Sequence, residues 1–262
     1  MTTESYQRRF GGVQRLYGDA GLEILSQARF CVVGIGGVGS WVAEALARSG
    51  VGSMTLIDFD EICETNINRQ LPALSNTLNQ KKCQVMAERI ALINADCQLE
   101  VIDDFITLKT YQTYLDGDFD YVIDAIDSIK FKALMINYCK RNKIPIIVTG
   151  GAGGMTDPTQ IQVQDLSRTF NDPLIAKVRS QLRKEFGFSK NSKRKFGIDC
   201  VFSSQQPVYP KKDGTVGYEK PGIHGVSLDC RFGYGAASFI TASFGFMAAG
   251  HAINRLIKRK SL

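Results

Sequence analysis

The first 150 residues alternate short apolar runs with segments of helical periodicity. Runs rich in aliphatic residues predict strands over residues 29–34, 53–58, 99–103, 120–124 and 143–150. Between them, apolar residues spaced by three and four positions predict helices over residues 36–49, 80–94 and 128–142. This alternation is typical of a mostly parallel sheet with helices on both faces.

The remainder of the chain is less regular. Strands are predicted over residues 161–165 and 198–203, and an amphipathic helix over residues 173–186. A basic stretch at 189–195 and a polar, glycine-bearing stretch at 211–220 predict loops. No linker separates two domains. We therefore expect one α/β domain over residues 1–262 with a loop-rich C-terminal part.

Composition agrees with a globular chain that has a sizeable core. Hydrophobic residues make up 44% of the sequence and charged residues 22%. The net charge of +6 is compatible with a polyanionic partner but does not require one. The seven cysteines form no CxxC pair and no apolar signal follows Met1, so we expect a reduced, cytoplasmic protein.

One segment is long enough to span a bilayer. Residues 232–257 are largely apolar, but the segment is rich in glycine, alanine and serine and contains His251, Asn254 and Arg255. These features favour a buried helix over a lipid-facing one, so no integral membrane span is expected.

A glycine-rich turn follows the first predicted strand and opens a helix. Gly34, Gly36, Gly37 and Gly39 would permit a tight turn and let a phosphate approach the helix N-terminus. Asp58 ends the next predicted strand, where a carboxylate can accept hydrogen bonds from a ribose. This pattern predicts a Rossmann-like nucleotide site and leaves NAD, FAD and ATP open.

Residues beyond Asp58 favour a nucleoside triphosphate. Asp60 follows by two positions and would share a side with Asp58 if the strand continued. Asn66, Asn68 and Arg69 come next, and Lys81 and Lys82 start the following predicted helix. A triphosphate needs cations at its phosphates and a carboxylate for Mg²⁺, whereas a dehydrogenase does not.

Together these motifs resemble those of the ubiquitin-activating superfamily, whose members adenylate carboxylates. The matching string runs from GIGGVG through DFD, NINRQ and the helix-opening lysine to Asp127 in DAIDS. The resemblance implies ATP and Mg²⁺ as cofactors. It implies that Asp58 binds the ribose and that Asp127 lies near the reacting phosphorus and Mg²⁺, with Asp60 able to share the metal. The residues that it implies contact the phosphates are Gly37, Asn66, Arg69 and Lys82. Ser128 stands where the family often has asparagine.

The resemblance also bears on assembly and on the cysteines. It implies a homodimer in which an N-terminal arginine reaches the partner's nucleotide. The usual position falls at Gly12 here, and Arg15 is the expected substitute, with Arg9 as the alternative. Members that load carrier proteins often bind zinc through two CxxC pairs, and since none occurs here no zinc is expected. Such members also use an acyl-accepting cysteine, for which Cys200 and Cys230 are the candidates, although an ordinary semi-buried cysteine is the more common interpretation of each.

Over nearly its full length the chain is similar to one branch, the tRNA threonylcarbamoyladenosine dehydratases. The segments RRFGGVQRLYG, GGAGGMTDPTQIQVQDLSRTFNDPL and SLDCRFGYGAASFITASFG carry this similarity. It implies ATP-dependent cyclisation of threonylcarbamoyladenosine in tRNA through an acyl-adenylate. A tRNA substrate would give Lys193, Arg194 and Lys195 a role as phosphate contacts. A sulfur-transfer protein is a further possible partner.

On this interpretation the single adenylating domain has an N-terminal arm (1–28), a nucleotide-binding core (29–165), and substrate-side loops with a C-terminal helix (166–262). Three alternatives remain open at this point. The chain could adenylate the C-terminus of a sulfur-carrier or ubiquitin-like protein, act as an NAD-dependent dehydrogenase, or bind tRNA without catalysis.

Overall fold

The computed structural model describes residues 3–211, 213–219 and 235–261. The strands of this part are β1 (Arg29–Val33), β2 (Ser53–Ile57), β3 (Gln98–Ile102), β4 (Tyr121–Asp124), β5 (Ile146–Thr149), β6 (Ile161–Asp165), β7 (Asp199–Ser203), β8 (Tyr209–Pro210) and β9 (Val216–Gly217). Its α-helices are α1 (Glu4–Gln27), α2 (Gly39–Arg48), α3 (Lys82–Ile93), α4 (Tyr111–Leu115), α5 (Ile129–Arg141), α6 (Pro173–Glu185) and α7 (Ser238–Lys260).

The main sheet has the strand order β3-β2-β1-β4-β5-β7-β6. Every neighbouring pair is parallel except β6 and β7, which pair antiparallel at the edge of the sheet. The prediction of a mostly parallel α/β sheet is therefore confirmed.

The alternation of side chains along β1 shows how both faces are covered. Phe30 and Val32 belong to a core that also contains residues of α2, α3 and α7. Cys31 and Val33 point the other way, into a core shared with α5 and α6. Because both faces of the sheet centre are buried, the central strands β1, β2, β4 and β5 are almost continuously buried, and their apolar runs made them clear in the sequence.

The C-terminal helix α7 is part of the core. It packs against α2 so closely that a Cβ added at Gly245 would lie 2.8 Å from the carbonyl oxygen of Val38. None of the helices in the described part of the chain is long and apolar enough to cross a bilayer.

Helices α1 and α4 and the short strands β8 and β9 were not predicted. Helix α1 carries glycines, including Gly18 with φ 74° at a break, and it gains its order by burying Tyr6, Phe10 and Leu25 against the rest of the molecule. Helix α4 is too short for a periodic pattern. The expected loop at 211–220 instead contributes β9 to a small antiparallel pair with β8, because backbone pairing there needs no apolar pattern.

Candidate nucleotide-binding site

The site lies where the strand order reverses. The chain leaves β1 and builds β2 and β3 on one side, then crosses to β4 and β5 on the other. Crevices at the carboxyl ends of such strands bind ligands in open α/β sheets. The backbone closes the base of this crevice, since Ala125 N donates to Val33 O (2.9 Å) and Gly34 N to Ile57 O (2.8 Å).

The glycine turn is required by close approaches. Gly34 has a φ of +89°, and an added Cβ would lie 2.9 Å from Cγ2 of Ile126. At Gly39, the first residue of α2, an added Cβ would lie 1.7 Å from the carbonyl oxygen of Gly34. At Gly37 it would meet Cγ2 of Thr241 at 3.3 Å. Gly34 and Gly39 thus fix the turn itself, independently of any ligand.

Gly36 differs from the other glycines of the turn because the space next to its Cα is open. In the described part of the chain, the only heavy atom that an added Cβ would meet within 4 Å is Nε2 of Gln70, at 3.9 Å. Oε1 of the same Gln70 is buried and has no hydrogen-bond partner among the described residues. Open space over a glycine at a helix start, beside an unsatisfied acceptor, fits a nucleotide. Gln70 closes the NINRQ motif but was not among the predicted site residues.

Asp58 joins the glycine turn to the end of β2. Its Oδ2 accepts from Ile35 N at 2.6 Å, and its Oδ1 accepts from Asp60 N at 2.8 Å. Burial raises the pKa of Asp58, and Lys82 and the two backbone donors oppose that rise. The structure thus brings Asp58 to the glycine turn, as the spacing indicated. Its contact with a ribose stays a prediction.

The expected placement of Asp60 is wrong. Strand β2 ends at Ile57, so Asp58 and Asp60 do not lie on one face of a strand. Instead, Oδ2 of Asp60 accepts from Nζ of Lys82 at 2.8 Å, and the Lys82 side chain is only 6% exposed. Lys82 is the first residue of α3, as predicted. The ion pair holds its ammonium group at the same edge as Asp58.

Asn66 and Arg69 lie in a turn between β2 and α3. Asn66 is buried, and its Oδ1 accepts from Cys63 N at 3.1 Å. The Nη1 atom of Arg69 donates to Thr65 O (2.7 Å) and to Oδ1 of Asn68 (3.0 Å). The Asn66 side chain therefore shapes the turn, which limits the phosphate contact that the resemblance assigns to it.

Two helices hold the backbone of this turn. The carbonyl oxygen of Arg69 accepts from Nε1 of Trp41 on α2 and from Oγ1 of Thr241 on α7, each at 3.1 Å. Nδ2 of Asn68 donates to Ala236 O at 2.7 Å, just before α7. The C-terminal helix thus helps to position Arg69, a relation between residues 172 positions apart that the sequence could not reveal.

Asp127 and Ser128 lie in the loop between β4 and α5. The Asp127 side chain is exposed, and Ser128 is the N-cap residue of α5 but makes no capping hydrogen bond. The described residues contain no cluster of three or more His, Cys, Asp or Glu side chains able to hold a metal. A magnesium ion here would depend on Asp127 and on the phosphate oxygens that accompany it.

A buried ion pair underlies this loop and was missed. Nζ of Lys132 donates to Oδ1 of Asp124 at 2.8 Å and to Asp124 O at 3.3 Å, and both side chains are fully buried. Oδ1 of Asp124 also accepts from Ile126 N at 3.2 Å, while its Oδ2 has no partner among the described residues. Burial raises the pKa of Asp124, and Lys132 opposes the rise. The sequence contained one indication of this pair, because Lys132 occupies a position in the predicted helix 128–142 that its neighbours mark as apolar.

The structure contradicts Cys200 as an acyl acceptor. Cys200 is fully buried in β7, between β5 and β6, and burial raises the pKa of its thiol well above the usual range. A buried neutral thiol can neither reach a substrate nor act as a thiolate. Cys230, the other candidate, lies outside the described residues.

The carboxyl ends of the parallel strands, with the glycine turn, form the nucleotide edge of the sheet. The remaining predicted residues lie on α1 and in the loop before β7. Arg15 is on the exposed side of α1, and its guanidinium lies beside Gly11 and Gly12. Lys193, Arg194 and Lys195 are exposed in the loop before β7. Because β7 runs parallel to β5, this loop lies at the amino edge of the parallel strands, opposite the glycine turn.

Comparison with known proteins identifies the class. Residues 6–262 match the ThiF family, to which the chain belongs. Within it, the chain is 56% identical to the tRNA threonylcarbamoyladenosine dehydratase of Haemophilus influenzae, over 98% of this chain and 97% of the relative. It is 52% identical to the Escherichia coli protein of the same name, over 99% and 97%.

Comparison with a solved structure places the chain in the same branch of the family. The E. coli tRNA N6-threonylcarbamoyladenosine dehydratase, TcdA, in complex with ATP aligns with a TM-score of 0.89 at 49% identity, covering 100% of this chain and 98% of that one. The resemblance to the dehydratase branch is therefore confirmed.

Proposed function

We propose that this protein is an ATP-dependent enzyme that cyclises threonylcarbamoyladenosine in tRNA, with loss of water. The observation that carries the proposal is the convergence of the glycine turn, Asp58, Arg69, Lys82 and Asp127 at one edge of the sheet. The chain that holds them aligns with dehydratases over 98% and 99% of its length. An adenylating enzyme for carrier proteins would share the first feature but not the second.

The chemistry needs an activated carboxylate. A carboxylate oxygen of the threonyl group attacks the α-phosphorus of ATP, and pyrophosphate leaves. A nucleophilic atom of the same modified side chain then attacks the acyl carbon and loses its proton, while AMP leaves with the carboxylate oxygen. The product therefore lacks one water, and no second substrate is required. Such a site acts mainly by positioning the groups and neutralising phosphate charge.

Each residue has a part in this scheme. The N-terminus of α2, opened by Gly34, Gly36, Gly37 and Gly39, receives the phosphates. Arg69 and Lys82 neutralise the departing pyrophosphate, and Asp58 accepts from the ribose. Asp127 would hold Mg²⁺, which neutralises phosphate charge when bound. Asp60 serves as the partner that holds Lys82 in place.

Assembly and location complete the proposal. We infer a homodimer in which Arg15 of one protomer approaches the partner's nucleotide, since Arg15 is exposed on α1. Lys193, Arg194 and Lys195 contact tRNA phosphates. Residues 1–262 act as one adenylating domain in the cytoplasm, with the arm, core and substrate-side divisions given above. A sulfur-transfer partner stays a prediction.

The decisive experiment follows ATP turnover with modified and unmodified tRNA. The wild-type protein should form AMP and pyrophosphate and remove one water from the nucleoside only when the tRNA carries threonylcarbamoyladenosine. Arg69→Ala and Lys82→Ala should each lower this turnover about 100-fold or more, as expected for lost transition-state charge stabilisation.

Lys109→Ala, which removes an exposed lysine from the segment before α4, is the charge-matched control and should turn over normally. Near-normal turnover by the Arg69 or Lys82 variants would disprove the phosphate assignment. Pyrophosphate exchange stimulated by a small carrier protein, with no response to either tRNA, would disprove the dehydratase assignment.

A further inference from the structure

Helix α6 presents a basic groove on its outer face. The groove is lined by Ala176, Arg179, Ser180, Arg183, Lys184 and Lys190. The helical members recur at spacings of three and four, so they share one face of the helix. Four of the six lining residues are cations and none is acidic. In the described part of the chain, none of these four cations lies within salt-bridge distance of a carboxylate.

The groove connects the two edges of the sheet. Helix α6 begins at the nucleotide edge, where its N-cap residue Asp172 accepts from Ile175 N (2.9 Å) and from Gly151 N (3.0 Å), just past β5. The helix ends at Glu185 and leads into the basic loop that precedes β7 at the opposite edge. From Ala176 to Lys184 it rises about 12 Å, a length over which a nucleic-acid strand presents several phosphates.

The arginines of the groove are fixed by the protein. Nη1 of Arg179 donates to Thr169 O (2.9 Å), to Leu166 O (3.3 Å) and to the hydroxyl of Thr169. Nε of Arg183 donates to Ser189 O at 3.3 Å, and its guanidinium lies over the ring of Phe196. A guanidinium has five N–H donors, so both side chains keep donors for a ligand while being held in position.

The charges of the groove are mutually unfavourable without an anion. Burial and the nearby Arg183 lower the pKa of Arg179. A phosphate beside the two guanidinium groups would remove this repulsion, and bidentate contacts suit that geometry. Asp172 opposes the fall in the Arg179 pKa but forms no salt bridge with it. Four cations along one groove, two of them held in place, match a polyanion better than a single small anion.

We propose that this groove binds the sugar–phosphate backbone of the RNA substrate and guides the modified nucleotide to the carboxyl edge of the sheet. The inference rests on the proposed function and deepens it. The cations contact phosphates, so they contribute affinity and register but do not distinguish modified from unmodified RNA. The exposed loop with Lys193, Arg194 and Lys195 extends the same track beyond the end of α6.

The test measures tRNA binding as a function of salt. Arg183→Gln/Lys184→Gln/Lys190→Gln should weaken binding of modified and unmodified tRNA alike and reduce the slope of log Kd against log salt by about 2 to 3, at about 0.7–0.9 per phosphate contact. The KM for tRNA should rise about tenfold or more, whereas kcat at saturating tRNA and ATP affinity should stay near wild type. The pair Lys184→Gln/Lys190→Gln, both exposed, should reduce the slope by about 1.5 and leaves the Arg183 contacts in place.

The matched control is Lys258→Gln/Arg259→Gln/Lys260→Gln, which removes three charges from the last turn of α7. Salt slopes that are equal in the groove variants and in this control would overturn the groove assignment. A wild-type protein without turnover on modified tRNA would instead overturn the proposed function, so the two failures are distinguishable.

Discussion

Replacing Lys132 by methionine tests the buried ion pair beneath the loop between β4 and α5, which carries Asp127. Methionine has a similar length and no charge, so the change leaves the Asp124 carboxylate in a fully buried position without its cation. Removing one partner of a buried pair typically destabilises a protein by about 3–5 kcal/mol, out of a total stability of about 5–15 kcal/mol.

The loss of stability in Lys132→Met should depend on pH. An unpaired buried Asp124 can always take up a proton, and from a usual pKa of 3.8 the cost of this is about 4 kcal/mol at pH 7 and about 1.5 kcal/mol at pH 5. The folded state of the variant then binds more protons than its unfolded state, so its stability falls as pH rises above about 4. The raised pKa of Asp124 gives the wild type a smaller dependence of the same sign. The loss relative to wild type should therefore be larger at pH 7 than at pH 5, by at most about 2–3 kcal/mol.

Urea denaturation at both pH values provides the measurement, and turnover with modified tRNA is followed in parallel. The double variant Asp124→Asn/Lys132→Met should recover most of the stability at pH 7, because no unpaired charge remains. A loss in Lys132→Met that is independent of pH would refute the electrostatic account and leave only a packing defect. Unchanged turnover in the stable double variant would show that the pair supports the fold but does not position the loop with Asp127.

Two further predictions concern helix α2, which follows the glycine turn and contains Gly39 and Glu44. Gly39→Ala would place a methyl group 1.7 Å from Gly34 O, so the glycine turn must move, and we expect a loss of about 3 kcal/mol or more with ATP binding abolished. The control Gly250→Ala lies inside α7, where an added Cβ meets nothing within 4 Å. It should leave ATP titration unchanged and keep or raise stability in thermal unfolding, by up to about 1 kcal/mol. Glu44 is buried, which raises its pKa, but hydrogen bonds from Arg89 and Arg48 outweigh burial and hold the pKa below its usual value of 4.5. The stabilisation by these contacts is thus present above pH 4.5 and is lost as pH falls through the folded pKa. Glu44→Gln should cost about 1–3 kcal/mol at pH 7 and progressively less toward pH 3, and equal losses at both pH values by urea denaturation would contradict the assignment.

The local pattern of apolar and polar residues was sufficient to predict the strands of the main sheet and most of the residues at the nucleotide edge. The strands of a parallel sheet are buried on both faces, so their apolar runs stand out, and the loops that follow them carry the polar residues. Since the carboxyl ends of parallel strands meet at one edge, the glycine turn, Asp58 and the DAIDS segment could be expected to lie together. Helix α1 escaped prediction because its order depends on contacts with α2, α3 and α7 rather than on its own periodicity.

The positions of Asp60 and of the basic loop could not be predicted, because they depend on where β2 ends and on the direction of β7. Asp60 was expected to share a face with Asp58, but β2 ends at Ile57 and the carboxylate turns to Lys82. The basic loop is obvious in the sequence, yet its position at the amino edge follows from the direction of β7 beside β5.

The sequence by itself therefore determined the fold class, the order of the nucleotide motifs and the family, because each depends on residues close together in the chain. Only the tertiary structure decided which distant residues support them. It placed Thr241 against Arg69, buried Lys132 against Asp124, enclosed Cys200 within the sheet, and arranged the cations of α6 into one groove. These relations arise from the packing of whole helices on a common sheet, and no local pattern of side chains encodes which partner a packed helix will meet.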